Sequence, residues 1–272
     1  MKNNDITENF DNRPIGFFDS GVGGLTVLKK VKEILPNEKY LYFGDTKNMP
    51  YGEKTEDELL KFADDIFKFF EKKDVKAVVM ACNTTSAVTY EKLKNKYSFK
   101  IYPIIQTVSK VLSNMDLPCI GIVATPATIN SHCYQKSINR NNSRTKVVEV
   151  AAKSWVKFVE NSQIETTECK NAIKEILDEI MKENPSKIVL GCTHYPYLLK
   201  VITQFACKEL FIDPAVYFAE AVSQDLTKQN LISYSKIPQD MEFYVSANPD
   251  KFKFAAKRFF NLEGQTITVH EH

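Results

Sequence analysis

The segment VVMACNT at residues 78–84 returns 110 residues later as IVLGCTH at 188–194. Each is a short apolar run with strand character. Each is broken by a cysteine and then by hydroxyl, amide or imidazole side chains of the kind found at helix starts. A second pair stands at nearly the same offset, 105 residues. Ile15-Gly16 and Ile120-Gly121 both open an apolar strand that ends at a hydroxyl residue in a tight loop, Ser20 or Thr125. Two matches at nearly one offset read as a duplicated unit with two-fold pseudo-symmetry. The bland alternative is chance likeness between apolar strands.

Outward from these anchors the chain alternates strand and helix signals. IGFFD (15–19) reads as a buried strand, followed by SGVGG and by LTVLKKVKEIL (25–35), apolar at helical spacing and stopped at Pro36. YLYF (40–43) is the next strand and GDTKNMPYG (44–52) a turn-rich loop. A helix over residues 56–72 puts Leu59, Leu60, Ala63, Ile66, Phe67 and Phe70 on one face. AVVMA (77–81) is a third strand, with a helix after Cys82. IGIVA (120–124), a helix over 168–183 and the strand IVLG (188–191) repeat the rhythm. The tail after Asp240 (EFYVSA, DKFKFAAKRFF, TITVHEH) reads as strand, helix, strand, too short for a domain and placed back on the first half. The expected fold class is α/β: two pseudo-symmetric α/β domains with mostly parallel sheets and the active site at their interface. Residues 14–107 plus 221–272 form the expected first domain, residues 108–220 the second, and residues 1–13 a polar, ragged extension.

Composition excludes several classes. With 272 residues, 43% apolar and 26% charged, the chain is long enough for a sizeable core. Its 36 Lys+Arg against 34 Asp+Glu leave a net charge of +2, which does not suit a nucleic-acid-binding design. No apolar run approaches a membrane span, and the polar, acidic start MKNNDITENFDNRP lacks the apolar stretch of a signal peptide. The reading is a cytoplasmic protein with no nucleic-acid and no membrane partner. Six cysteines without a CxxC pair are expected to be free thiols, most of them small core residues.

Cys82 and Cys192 are the strongest candidates for chemistry, the bland alternative being buried inert cysteines followed by ordinary Thr/Asn helix caps. Each ends an apolar strand just before a helix start, where parallel sheets bind their ligands and where a helix dipole favours a thiolate. Two thiols facing one pocket from opposite sides suit a racemase: one base takes the α-proton from one face, and a conjugate acid returns a proton on the other. A metal at Cys192-x-His194 is the rival, without a CxxC or HxxxH to complete it; a disulfide between the two thiols is another. No metal and no cofactor are expected. Asp19-Ser20-Gly21-Val22-Gly23-Gly24 lets backbone N–H groups approach an anion, but fits neither a dinucleotide nor a P-loop motif. Asp19 reads either as a partner of Cys82 or as a helix cap, and His194 either as an acid for Cys192 or as a structural histidine. Pro50-Tyr51-Gly52 is a rigid turn with a polar-tipped aromatic, Thr125 and Thr128 place two hydroxyls at a helix start, and Glu160 in WVKFVEN reads first as a surface carboxylate.

DSGVGGLTVL (19–28), YFGDTKNMPYG (42–52), ACNTTSA (81–87), GCTHYP (191–196) and SANPDKFKFAAKRF (246–259) together resemble the glutamate racemases, cofactor-independent amino-acid racemases of the Asp/Glu type. The resemblance runs from about Pro14 to the end of the chain. It implies that Cys82 deprotonates D-glutamate and Cys192 L-glutamate, with Asp19 beside the first thiol and His194 beside the second. Glu160 matches a further family glutamate through AAKSWVKFVE (151–160), although Ala151-Ala152-Lys153 replaces the family's Ala-Cys-Pro. Substrate contacts map onto Ser20, Pro50, Tyr51, Gly52, Asn83, Thr84, Thr125, Thr128 and Thr193. Lys47-Asn48 stands where many relatives carry Ala-Arg. The resemblance also implies a homodimer and a role in supplying D-glutamate to the bacterial cell-wall peptide. The runners-up are a racemase for aspartate or another acidic amino acid, and a non-catalytic acidic amino-acid binding module.

Overall fold

The computed structural model describes residues 11–257 and 260–271. β1 (Ile15–Asp19), α1 (Leu25–Ile34), β2 (Tyr40–Gly44), α2 (Glu56–Lys72), β3 (Ala77–Met80), α3 (Asn83–Leu93), β4 (Lys100–Pro103) and α4 (Ile104–Ser113) come first. β5 (Cys119–Ala124), α5 (Pro126–Ser131), α6 (Cys133–Asn141), β6 (Lys146–Ala151), α7 (Trp155–Glu160), α8 (Thr167–Met181), β7 (Lys187–Gly191), α9 (Leu199–Ile202) and β8 (Phe211–Ile212) follow. α10 (Pro214–Lys228), β9 (Met241–Val245), α11 (Pro249–Ala256) and β10 (Ile267–Val269) complete the described chain.

These strands form two parallel sheets, one in the order β10-β9-β2-β1-β3-β4 and the other β6-β5-β7-β8. The shared motif is 2-1-3-4 in the first and 6-5-7-8 in the second. In each, the founding strand has its successor on one side and the third strand on the other. The chain therefore leaves in opposite directions from β1 and β3, and again from β5 and β7. Between strands that part in this way a crevice opens at their carboxyl ends. β1 ends at Asp19, β3 leads into Cys82, β5 ends before Thr125 and β7 leads into Cys192. Four of the sequence-predicted site segments thus sit at the two crevices.

β1, β2 and β3 are buried along their full length, as strands covered on both faces must be. α2 packs Leu59, Ala63, Ile66, Phe67, Phe69 and Phe70 inward, while Leu60 is only half-buried. Its start is fixed by a capping box between Thr55 and Glu58, a device worth about 1 kcal/mol. The matched glycines also have a structural reason. A Cβ on Gly16 would lie 2.9 Å from the Phe70 ring of α2, and one on Gly121 would lie 2.7 Å from Ile180 of α8. Each glycine lets a helix close down on its sheet.

The tail returns to the first sheet: β9 pairs with β2 and β10 lies outside β9. Of the segments expected there, Arg258, Phe259 and His272 lie outside the described residues, as do residues 1–10 of the expected polar extension. Asp11–Arg13 depart from the expectation of a ragged end. Asp11 N–H bonds to Ile232 O (3.4 Å), and Lys76 Nζ donates to Asp11 O (2.6 Å). Lys76 is itself buried and paired with Glu38 at 2.6 Å. A buried ammonium needs every donor satisfied, and the chain entering β1 supplies a carbonyl. The divisions expected at residues 107/108 and 220/221 both fall inside helices, α4 and α10, which pack against each other. Among the described residues no helix is long and apolar enough to cross a membrane.

Candidate active site

Asp19 ends β1 and is completely buried. Its carboxylate accepts the Gly21 N–H (2.9 Å) and the Thr193 hydroxyl (3.3 Å), the latter reaching from the far sheet. Burial pushes the Asp19 pKa up, and the charge of His194 with the donors from Gly21, Gly24 and Thr193 opposes this without cancelling it. Ser20, the next residue, is buried in the same loop. The Tyr42 hydroxyl donates to Gly21 O (2.7 Å) and pins that loop from β2. A Cβ on Gly23 would lie 2.8 Å from the His194 ring, so the glycine here lets the first loop touch the second site motif.

Cys82 is the N-cap of α3, and its side chain is buried. Burial pushes the thiol up to about 12, with the negative charge of Asp19 adding to it and the side chain and N–H of Thr85 working against it. Charge on Cys192 raises it further, so the two sulfurs sense each other across the site. At neutral pH Cys82 is therefore a thiol.

Cys192 follows β7 and is surrounded differently. Its Sγ lies 3.8 Å from His194 Nδ1, and His194 Nε2 lies 2.6 Å from Glu160 Oε1. Burial works against charge on His194, but its bonds to Cys192 and Glu160 outweigh this and hold its pKa well above the ordinary value. Glu160 is held below the usual carboxylate range: burial raises it, and the bond and charge of His194, with the charge of Lys251, lower it more. The line Cys192, His194, Glu160 is thus a sulfur, an imidazolium and a carboxylate in sequence. Glu160 belongs to it although its segment reads as an ordinary surface helix. The helix α7 that carries it is anchored by fully buried Trp155, stacked edge-on against Tyr195 just beyond His194.

The expected hydroxyls also meet across the two halves. Thr84 of α3 is 2.9 Å from Thr125 and 3.4 Å from Thr128, and the last two are 3.0 Å apart. Asn83 Oδ1 accepts the Tyr134 hydroxyl at 2.7 Å. Pro50 follows a cis peptide bond, and Gly52 backs onto Thr125, whose Cβ a methyl group there would meet at 3.0 Å. Tyr51 is buried and its hydroxyl is bonded to Asp45. Asp45, which the sequence reading passed over, is a hub. It also accepts from Asn48 Nδ2 (2.9 Å) and from Ser246 Oγ (2.6 Å), so it ties the Pro50 turn to the tail. The available signal was an acid placed one residue beyond an apolar strand, one step past the register position Asp19 holds as the last residue of β1. Beside Glu160 a cavity of about 370 Å³ opens, lined among others by Val22, Met49, Pro50, Lys157 and Lys251. All six cysteines are free thiols.

Known proteins resemble this chain over most of its length. The profile of the Asp/Glu/hydantoin racemase family matches residues 15–222. The glutamate racemase of Thermoanaerobacter pseudethanolicus is 38% identical over 244 residues, 89% of this chain and 91% of that protein. The crystal structure of glutamate racemase from Francisella tularensis in complex with D-glutamate superposes with a TM-score of 0.89 at 33% identity, covering 96% of this chain and 98% of that one. A glutamate racemase isoform from Bacillus anthracis superposes with a TM-score of 0.87 at 29% identity, covering 96% and 98%.

Proposed function

The chain belongs to the Asp/Glu/hydantoin racemase family, and on that footing we propose that it interconverts L- and D-glutamate by two-base proton transfer between Cys82 and Cys192. The observation that carries this reading is the pair of thiols at the ends of equivalent strands in two sheets, each beside its own titratable partner. The substrate is assigned from the glutamate racemases that the chain resembles over nine-tenths of its length.

In the L-to-D direction, the Cys192 thiolate takes the α-proton. The C–H bond breaks, an S–H bond forms, and the electron pair stays on the α-carbon and its carboxylate. The Cys82 S–H then breaks and its proton joins the opposite face, leaving a thiolate there. Turnover in the other direction exchanges the roles. The resting groups suit this first step. Cys82, pushed up by burial, holds its proton, while the His194 imidazolium is a cation placed to balance charge on Cys192. Asp19 and His194 act through the two sulfurs, and Glu160 keeps His194 charged and oriented. The N–H groups after Asp19 and the hydroxyls of Ser20, Thr84, Thr125, Thr128 and Thr193, with Asn83 and the Pro50-Tyr51-Gly52 turn, are assigned to holding the two carboxylates. Such donors are fixed before the reaction and stabilise the charge that develops in it. We place the protein in the bacterial cytoplasm as a homodimer feeding D-glutamate to cell-wall peptide, on the family resemblance.

The test is to incubate D-glutamate, and separately L-glutamate, with the protein in D₂O without added cofactor, following optical activity and α-proton loss. Both enantiomers should racemise with solvent deuterium in the product. If aspartate racemises and glutamate does not, the substrate assignment falls. If neither does in a folded, reduced protein, the catalytic reading falls.

A further inference from the structure

Helix α3 opens with Cys82-Asn83-Thr84-Thr85-Ser86, five polar or thiol side chains in a row, all buried. Asn83, Thr84 and Ser86 have visible partners. Asn83 meets Tyr134, and Thr84 meets Thr125. Ser86 donates to Gln106 (2.9 Å) and accepts the Ile105 N–H (3.2 Å), and Thr89, a turn later, donates to Thr85 O (2.9 Å). The Thr85 hydroxyl is the exception: it is wholly buried, and among the described residues it makes no hydrogen bond of standard geometry, although it lies near enough to the Cys82 sulfur to favour a thiolate there. A buried hydroxyl left unpaired is costly, so its presence here needs a reason.

Its position supplies one. Thr85 is the third residue of the helix that Cys82 caps, and that is the position whose N–H an N-cap side chain faces. Both the N–H and the hydroxyl of Thr85 bear on the Cys82 sulfur, favouring its ionised form against burial. A neutral thiol is a weak acceptor, whereas a thiolate is a strong one. Among the described residues the Cys192 side has no equivalent hydroxyl: Thr193 is turned to Asp19, and the His194 ring faces the sulfur instead.

We propose that the Thr85 hydroxyl is held unpaired in the resting site so that it can donate a hydrogen bond to Cys82 when that sulfur becomes a thiolate, making Thr85 a positioning residue for the base that acts on D-glutamate. This rests on the reading of Cys82 as that base. The enantiomer that Cys82→Ala and Cys192→Ala each still exchange with D₂O tests that reading by itself, so its failure is distinguishable from failure of the role given to Thr85.

Thr85→Val keeps the shape and removes the donor. Turnover of D-glutamate should fall about 10- to 100-fold, the range for a hydrogen bond to a charged group. The acid limb of that turnover against pH should move to higher pH. The primary isotope effect with α-deuterated D-glutamate should rise, while that with α-deuterated L-glutamate should not. Thr85→Ser, which restores a hydroxyl, should recover most of the rate; Thr85→Ala serves the same readouts if the valine variant does not fold. A Thr85→Val protein with unchanged isotope effects and pH profile overturns the proposal, as does a serine variant no better than valine. A rise confined to L-glutamate overturns it as well, because Cys82 would then be the base for the other enantiomer.

Discussion

Cys82 and Cys192 occupy equivalent places in 2-1-3-4 and 6-5-7-8 sheets, yet their surroundings have little in common. Cys82 caps a regular helix of eleven residues and faces a buried carboxyl, Asp19, and a hydroxyl, Thr85. Cys192 leads into a short 3-10 turn at Tyr195–Leu198 and faces a charged imidazole backed by Glu160. Burial and Asp19 hold the first sulfur in its protonated form, and the second sits beside a cation. The two halves thus repeat the backbone order around the sulfurs without repeating the groups that tune them. The substrates of the proposed reaction are mirror images, but the protein around them is made of L-residues throughout and has no mirror symmetry to offer. What the chemistry needs is an acid on one side and a base on the other, and unlike surroundings provide that directly.

The comparison breaks most sharply at the thiols themselves. Cys82→Ala and Cys192→Ala should each lower racemisation by at least about 10²–10⁴-fold, the span of a lost acid or base. The surviving thiol should still exchange the α-proton of its own enantiomer with D₂O: L-glutamate in Cys82→Ala and D-glutamate in Cys192→Ala. Proton NMR of each enantiomer reads this, and exchange of the opposite pairing would reverse the assignment.

A smaller effect is expected one residue further out. Asp19→Asn and His194→Asn should each lower kcat on the order of 10²-fold. Because the enantiomers are equally stable, kcat/KM must fall equally in both directions whichever residue is changed. The handedness therefore shows in primary isotope effects, which should rise with α-deuterated D-glutamate for Asp19→Asn and with α-deuterated L-glutamate for His194→Asn. Equal rises in both variants would mean that the two halves are coupled into one network rather than tuned separately.

Glu160→Gln tests the back of the second half. Glu160 raises the His194 pKa, so its neutral replacement should lower it. The imidazolium would then be lost at lower pH, and the alkaline limb of L-glutamate turnover should move down by about 1–2 units, the equivalent of one charged hydrogen bond. An unmoved limb would separate Glu160 from the catalytic line. The smallest effect concerns the scaffold. Gly16→Ala and Gly121→Ala should each destabilise by about 1–3 kcal/mol through overpacking. The cost should be greater at Gly16, where the obstacle is the wholly buried Phe70 ring. At Gly121 it is the end of Ile180, equally buried but a flexible chain terminus rather than a rigid ring. Chemical denaturation of both variants measures the difference.

Legibility from the sequence followed burial, except at β10, an exposed edge strand read in the tail. The strands that stood out as apolar runs, β1, β2, β3, β5 and β7, lie inside the sheets, flanked on both sides. β4, β6 and β8 are edge strands, and β6 is largely half-exposed, so their runs are short or mixed and escaped notice. The site divided in the same way. Asp19, Cys82, Cys192 and His194 lie directly at the ends of central strands, where local pattern points to them. Glu160 lies on a six-residue helix in an apolar stretch, where a carboxylate reads as the exposed edge, and its bond to His194 spans 34 positions. Asp45 gathers Tyr51, Asn48 and Ser246, the last 201 positions away. No local periodicity encodes such partners.

The sequence by itself determined the alternation of strand and helix, the duplicated strand–cysteine motif and the placing of both thiols at strand ends. These depend on side-chain period and on the order of residues along a few turns of chain. Only the tertiary structure decided that Thr193 of one half would bond to Asp19 of the other, that Glu160 would hold His194 charged, and that Thr85 would be left with the Cys82 sulfur before it. Those outcomes depend on which groups are buried together and which have already found partners. A buried polar atom takes its state from the groups around it, whatever their distance along the chain.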